Sequence, residues 1–130
     1  MGSGEVFHFA VSLRISHPSM EPEVISKRLG LTPKTAWKVG DQWKNPCGPC
    51  TANKHRETYW SYPCLIPKEL RLSDFLKVFL EQIEEHKGFF QEIRATNGSV
   101  ELFVGWFSGS NSGDTFRCQL LEKLADLQVD

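Results

Sequence analysis

From Glu5 to Ser16 apolar and polar residues alternate, with Phe7, Phe9, Val11, Leu13 and Ile15 in one phase. His8, Ala10, Ser12, Arg14 and Ser16 occupy the other. A period of two over this length predicts a strand with one buried face. The pattern then changes. Glu21 and Pro22 suit the start of a helix, where a proline sacrifices no hydrogen bond. Val24, Ile25 and Leu29 supply its apolar stripe, Gly30 can end it in the left-handed conformation, and Pro33 prevents its continuation.

"KTAWKVGDQW" predicts a short extended segment turning at Gly40-Asp41, and Lys44 to Lys54 reads as a loop rich in proline and glycine. "HRETYWSYPCLI" returns to strand composition, with Pro63 marking an edge or an end. Leu72 to Lys87 carries the strongest helical stripe: Leu72, Phe75, Leu76, Phe79, Leu80 and Ile83 share a face, with Ser73 as cap and Gly88 as stop. "FFQEIRATNGSVELFVGWF" is expected to form a hairpin, because Asn97-Gly98 suits a type I′ turn between β-rich runs. After a Gly/Ser loop, a last helix is expected from Asp114 or Thr115, with Phe116, Leu120, Leu121, Leu124 and Leu127 on its apolar side.

The order βα, β, β, α, ββ, α predicts an α+β fold. Its core is a ferredoxin-like βαββαβ two-layer sandwich, with an additional C-terminal hairpin strand and helix. A chain of 130 residues suits one domain, 1–130, with residues 1–4 set aside as a tag or disordered start. The net charge of −1 offers no basic footprint for duplex nucleic acid or an anionic membrane. Its apolar runs are too short to span a bilayer. With no secretory start, the expectation is a cytoplasmic protein whose four cysteines are thiols or metal ligands.

Cys47-Gly48-Pro49-Cys50 has the spacing of a thiol–disulfide centre. That chemistry needs a helix to follow the first cysteine, and Thr51 to Arg56 carry no apolar stripe. Zinc is the better functional reading: Cys47 and Cys50 could share a tetrahedral ion with His55 and Cys64. The plain alternative is a loop with incidental thiols. Cys118 reads as a small core residue of the last helix. Glu81, Glu84 and Glu85 fall away from the helical stripe and form a solvated face. In "SGSNSGDT" an aspartate stands where a phosphate-binding loop requires lysine, so Asp114 is better read as a helix cap.

"SLRISHPSMEPEVISKRLGLTPKTAWKVGD" followed by "YWSY" resembles a family of small bacterial proteins, domain-of-unknown-function family 4279. The shared features are a strand ending S-L-R-I-S, a helix closing on L-G-L-T-P, a W-x-x-G-D turn and an aromatic Y-W-S strand. The resemblance implies a single α/β domain without an assigned activity; members continue past the last helix into another strand, whereas this chain stops at "LQVD", so that strand is expected to be absent or cut short. The loop after the G-D turn departs from it by carrying C-G-P-C.

If Phe7, Phe9 and Val11 face the helices, the other side of the sheet presents Arg14, Phe103 and Phe107, joined by Tyr59 or Trp60. Arg14, Trp60, Phe103 and Phe107 are therefore the candidate binding residues. Such a face suits a protein partner, a second copy of the chain or a small ligand. Single-stranded nucleic acid ranks lower, since the charge is slightly acidic and the aromatic signature of RNA-binding sheets is absent. No catalytic residue is assigned, and a non-enzymatic role is expected.

Overall fold

The computed structural model describes residues 8–41, 54–67, 69–107 and 113–130. Four strands form one open antiparallel sheet: β1 (His8–His17), β2 (Thr35–Trp37), β3 (Thr58–Pro63) and β4 (Ser99–Phe107). Their order across the sheet is β2-β3-β1-β4. The helices are α1 (Pro22–Leu29), α2 (Leu72–Ile83), α3 (Lys87–Ala95) and α4 (Cys118–Leu127), and a 3-10 turn, Glu84–His86, joins α2 to α3. This is the α+β class that the alternation and helical stripes predict. Among the described residues, no helix is long and apolar enough to cross a membrane.

One phase of each long strand builds the core. Val11, Leu13 and Ile15 of β1, Trp60 of β3 and Val100 of β4 pack with Ile25, Leu80, Phe90 and Ile93 from the helices. Val24, expected in the α1 stripe, is exposed; Pro22, Ile25 and Leu29 form the buried side instead. At the end of β2, Gly40 has φ 90°, a conformation that a side chain resists, and the Asp41 carboxylate accepts from the Lys38 N–H (2.9 Å). That pairing accounts for the W-x-x-G-D pattern.

The expected hairpin across Asn97-Gly98 does not form, so the additional hairpin strand is absent. Residues 87–95 are helix α3, which buries Phe89, Phe90 and Ile93. Gly88 accordingly does not stop the preceding helix. Asn97 does take a positive φ of 70°, but as the left-handed residue that closes a helix. The Gly98 N–H donates to the Ile93 carbonyl (2.7 Å) and the Asn97 N–H to that of Arg94 (3.1 Å). Both motifs need the same left-handed asparagine, which is why the dipeptide misled.

At this corner the ends of β1, α3 and β4 converge on His17, whose side chain is buried. Its Nδ1 accepts the N–H groups of Ser19 (3.0 Å) and Met20 (2.8 Å), so the proton sits on Nε2, which donates to Thr96 Oγ1 (2.7 Å). Burial lowers its pKa from the ordinary value of 6.5. A second proton would have to enter between Nδ1 and two donors. Because the folded value is depressed, this histidine's contribution is complete above pH 6.5 and is lost as pH falls from there through the folded pKa. The thermal midpoint should therefore decline over that window in wild type, and the decline should flatten in His17→Gln, measured by calorimetry.

Asp114 departs from expectation too. Helix α4 begins only at Cys118, and Asp114 instead caps α2 from a distance of 41 residues in sequence. Its carboxylate, 3% exposed, accepts the Ser73 N–H (2.8 Å), the Ser73 hydroxyl (3.0 Å) and the Thr115 N–H (2.7 Å). Ser73 is thus a donor to the cap rather than the cap itself. Burial pushes this carboxyl's pKa upward, but the hydrogen bonds from Ser73 and Thr115 and the nearby Arg71 outweigh it, so the net shift is downward. Asp114→Ala should cost about 1–2 kcal/mol in denaturant unfolding. The native carboxylate's contribution is present above the unfolded value and disappears as pH falls through the lower folded one.

Helix α4 ends on Gln128 at φ 60°, with the Val129 N–H bonded to the Leu124 carbonyl (3.0 Å). The chain then meets the outer edge of β4. The Asp130 N–H donates to the Val100 carbonyl (2.9 Å), and the Leu102 N–H donates to that of Asp130 (2.8 Å). These bonds run in the parallel sense, so the last residues begin to extend the sheet beyond β4.

Candidate functional site

The face of the sheet away from the core is built by the polar phase of β1 and the residues registered with it. Arg14 lies opposite Ser61 on β3 and Glu101 on β4; Ser12 faces Phe103, and Ser16 faces Tyr59 and Ser99. The Arg14 guanidinium does not pair with Glu101. It lies over the Phe103 ring, 3.8 Å from the centroid. Packing against the ring leaves Arg14 Nε buried with no hydrogen-bond partner. Phe103 and Phe107, on the edge strand β4, are 48% and 61% exposed, which is high for phenylalanine.

Trp60, assigned to this face as a binding residue, belongs to the opposite one. It is fully buried, pairs in register with Ile15, and donates from Nε1 to Ser26 Oγ on α1 (3.0 Å). In "YWSY" the polar Ser61 shares its phase with Tyr59, and that phase marks the outward side. Tyr59 is the residue that joins the face. With it comes Trp37, which sequence phase alone did not assign. Trp37 pairs with Tyr59 and stacks on it at 4.7 Å, while the His55 ring stacks on Trp37 at 4.1 Å. The stack also helps to hold the three-residue strand β2 at the sheet edge.

The zinc set does not assemble as four ligands. Cys47 and Cys50 lie outside the described residues. His55 and Cys64 stand beyond opposite ends of β3, whose six residues keep them roughly 20 Å apart. One tetrahedral ion needs its ligands within about 2.3 Å. Burial also pushes the Cys64 thiol up to about 11, despite a hydrogen bond with the Leu13 backbone, so it stays protonated at neutral pH. Cys118, expected in the core, is exposed.

Among the described residues, two shallow clefts lie elsewhere. One, of about 430 Å³, is lined by Leu72, Val104, Trp106 and Phe116, with Asp114 at its rim. The other, of about 460 Å³, lies between α1 and β2 beside Pro22, Ser26 and Ala36. In the first, the polar group is already occupied by the α2 cap. Neither gathers a set of convergent reactive groups.

Fold and face together define a class: an α+β domain whose antiparallel sheet is backed by helices on one side and open, among the described residues, on the other. The chain belongs to the family described as a domain of unknown function (DUF4279), whose model matches residues 6–130. No curated protein and no solved structure matches it.

Proposed function

We propose that this is a non-enzymatic binding domain whose open sheet face takes up a protein partner. The observation that carries the reading is the exposure of Phe103 and Phe107 beside a stacked arginine, on a face that contributes nothing to the core. Aromatic and arginine side chains dominate the energetics of protein interfaces. A small molecule would call for a concave site, and neither cleft among the described residues includes Arg14, Phe103 or Phe107. Glu101, registered with Arg14 in the middle of the face, together with the chain's charge of −1, weighs against a nucleic-acid backbone. The histidine and thiol best placed for chemistry are otherwise engaged: His17 is sealed in the corner and Cys64 is held as a thiol. We also read the βαββαβ unit as ferredoxin-like, since the antiparallel order taken from the other edge is β4-β1-β3-β2.

Affinity capture with wild type, Arg14→Ala and Phe103→Ala provides the test. A partner retained by wild type should be lost from both variants, each change costing about 2 kcal/mol of binding. Their thermal midpoints should stay close to wild type, because a partly exposed stacked pair adds only about 1 kcal/mol to stability. Capture that survives both substitutions contradicts the proposal.

A further inference from the structure

Resting on the reading of the open face as a protein-binding surface, the geometry points to a specific ligand chemistry: Arg14 is the anchor for a carboxylate side chain presented by that partner. Among the described residues, the Arg14 guanidinium forms no ion pair, although Glu101 is its direct neighbour across the strands. Instead it packs over the ring of Phe103, and its Nε is buried with no acceptor, so packing rather than a hydrogen bond at Nε holds its position. A guanidinium fixed in this way loses little freedom when its remaining N–H groups meet an oxyanion, and its planar fork matches a carboxylate. Ser12, Ser16 and Ser61 surround it in register and place hydroxyl donors on the same face.

The charge balance selects the ligand. One arginine beside one glutamate leaves too little positive potential for a dianionic phosphate, but it suits a single carboxylate that displaces the weak influence of Glu101. Phe103 and Phe107 beside the anchor call for an apolar residue next to the acid. The partner segment is therefore acidic and flanked by aromatic or large aliphatic side chains.

Titration of the full chain with Ac-Phe-Glu-Phe-NH2 and with Ac-Phe-Gln-Phe-NH2, followed by amide chemical shifts, tests this. The glutamate peptide should move the resonances of Ser12, Arg14, Ser61 and Phe103 and bind at least fivefold more tightly than the glutamine peptide. Arg14→Gln should abolish that difference, and Glu101→Gln should tighten the glutamate peptide at least twofold. Equal binding of both peptides to this face overturns the carboxylate assignment and leaves the binding surface standing. Unchanged or weaker binding by Glu101→Gln also overturns the assignment. If neither peptide shifts any resonance of this face, the assignment and the surface it rests on fall together.

Discussion

Replacing Trp60 with alanine is expected to cost about 4 kcal/mol of folding stability, a large share of what a domain this size possesses. The residue is fully buried, registers with Ile15, and is the largest side chain in the core. Its removal leaves a cavity under α1 and an unpaired Ser26 hydroxyl that had accepted the indole N–H. The thermal midpoint should fall by roughly 15 °C, which calorimetry or denaturant unfolding would register. Trp60→Phe should recover most of the loss, since it restores the bulk without the hydrogen bond. A cost below about 1 kcal/mol for the alanine would place Trp60 outside the core and reverse the sheet's orientation.

Gly98→Ala should be nearly as damaging, for the opposite reason. A Cβ at this position would stand 2.6 Å from Ile93 Cγ2, 2.8 Å from His17 Cδ2 and 2.8 Å from the Ser16 carbonyl oxygen. Ile93 can adjust a little, but the Ser16 carbonyl is part of the backbone of β1, where Ser16 is in register with Ser99 of β4. Relief therefore requires the α3–β4 junction to separate from β1, at about 3 kcal/mol. Urea unfolding would measure it. The same displacement should loosen His17 from Thr96, so the variant should also lose part of the pH dependence assigned to that histidine.

The contrast between these residues shows what the sequence could and could not reveal. The alternation in β1 was legible because one face is buried and the other is not, and Arg14, Phe103 and Phe107 follow from that phase. The phase of Trp60 is ambiguous in sequence because a tyrosine and a tryptophan stand side by side, and both suit either face. Only the polar Ser61 beside them carries the deciding signal. The sequence of helix α3 resembles a strand because Phe89 and Phe90 suit β structure locally, whereas the spacing of Phe89, Phe90 and Ile93 fits a helical stripe equally well. Asn97-Gly98 then appeared to complete a hairpin. The Asp114 cap was beyond reach, since it joins residues brought together only by the tertiary fold. Trp37 needed the β2–β3 register before it could be placed over Tyr59.

A single surface thus separates two kinds of residue. Inward positions such as Trp60 are expected to set stability, whereas substitution of Arg14, Phe103 or Phe107 should leave the fold little changed. Among the described residues, no residue of the core packs on this face to account for two exposed phenylalanines, and it is their exposure that motivates the proposed recognition of a partner.

Hydroxyl-radical footprinting of the protein alone and in the captured complex reads this division most directly. Side chains of Phe103, Phe107 and Trp37 should label readily in the isolated protein and become protected by the partner, while Trp60 stays unlabelled in both. Strong labelling of Trp60, or labelling of Phe103 that a bound partner leaves unchanged, would contradict it.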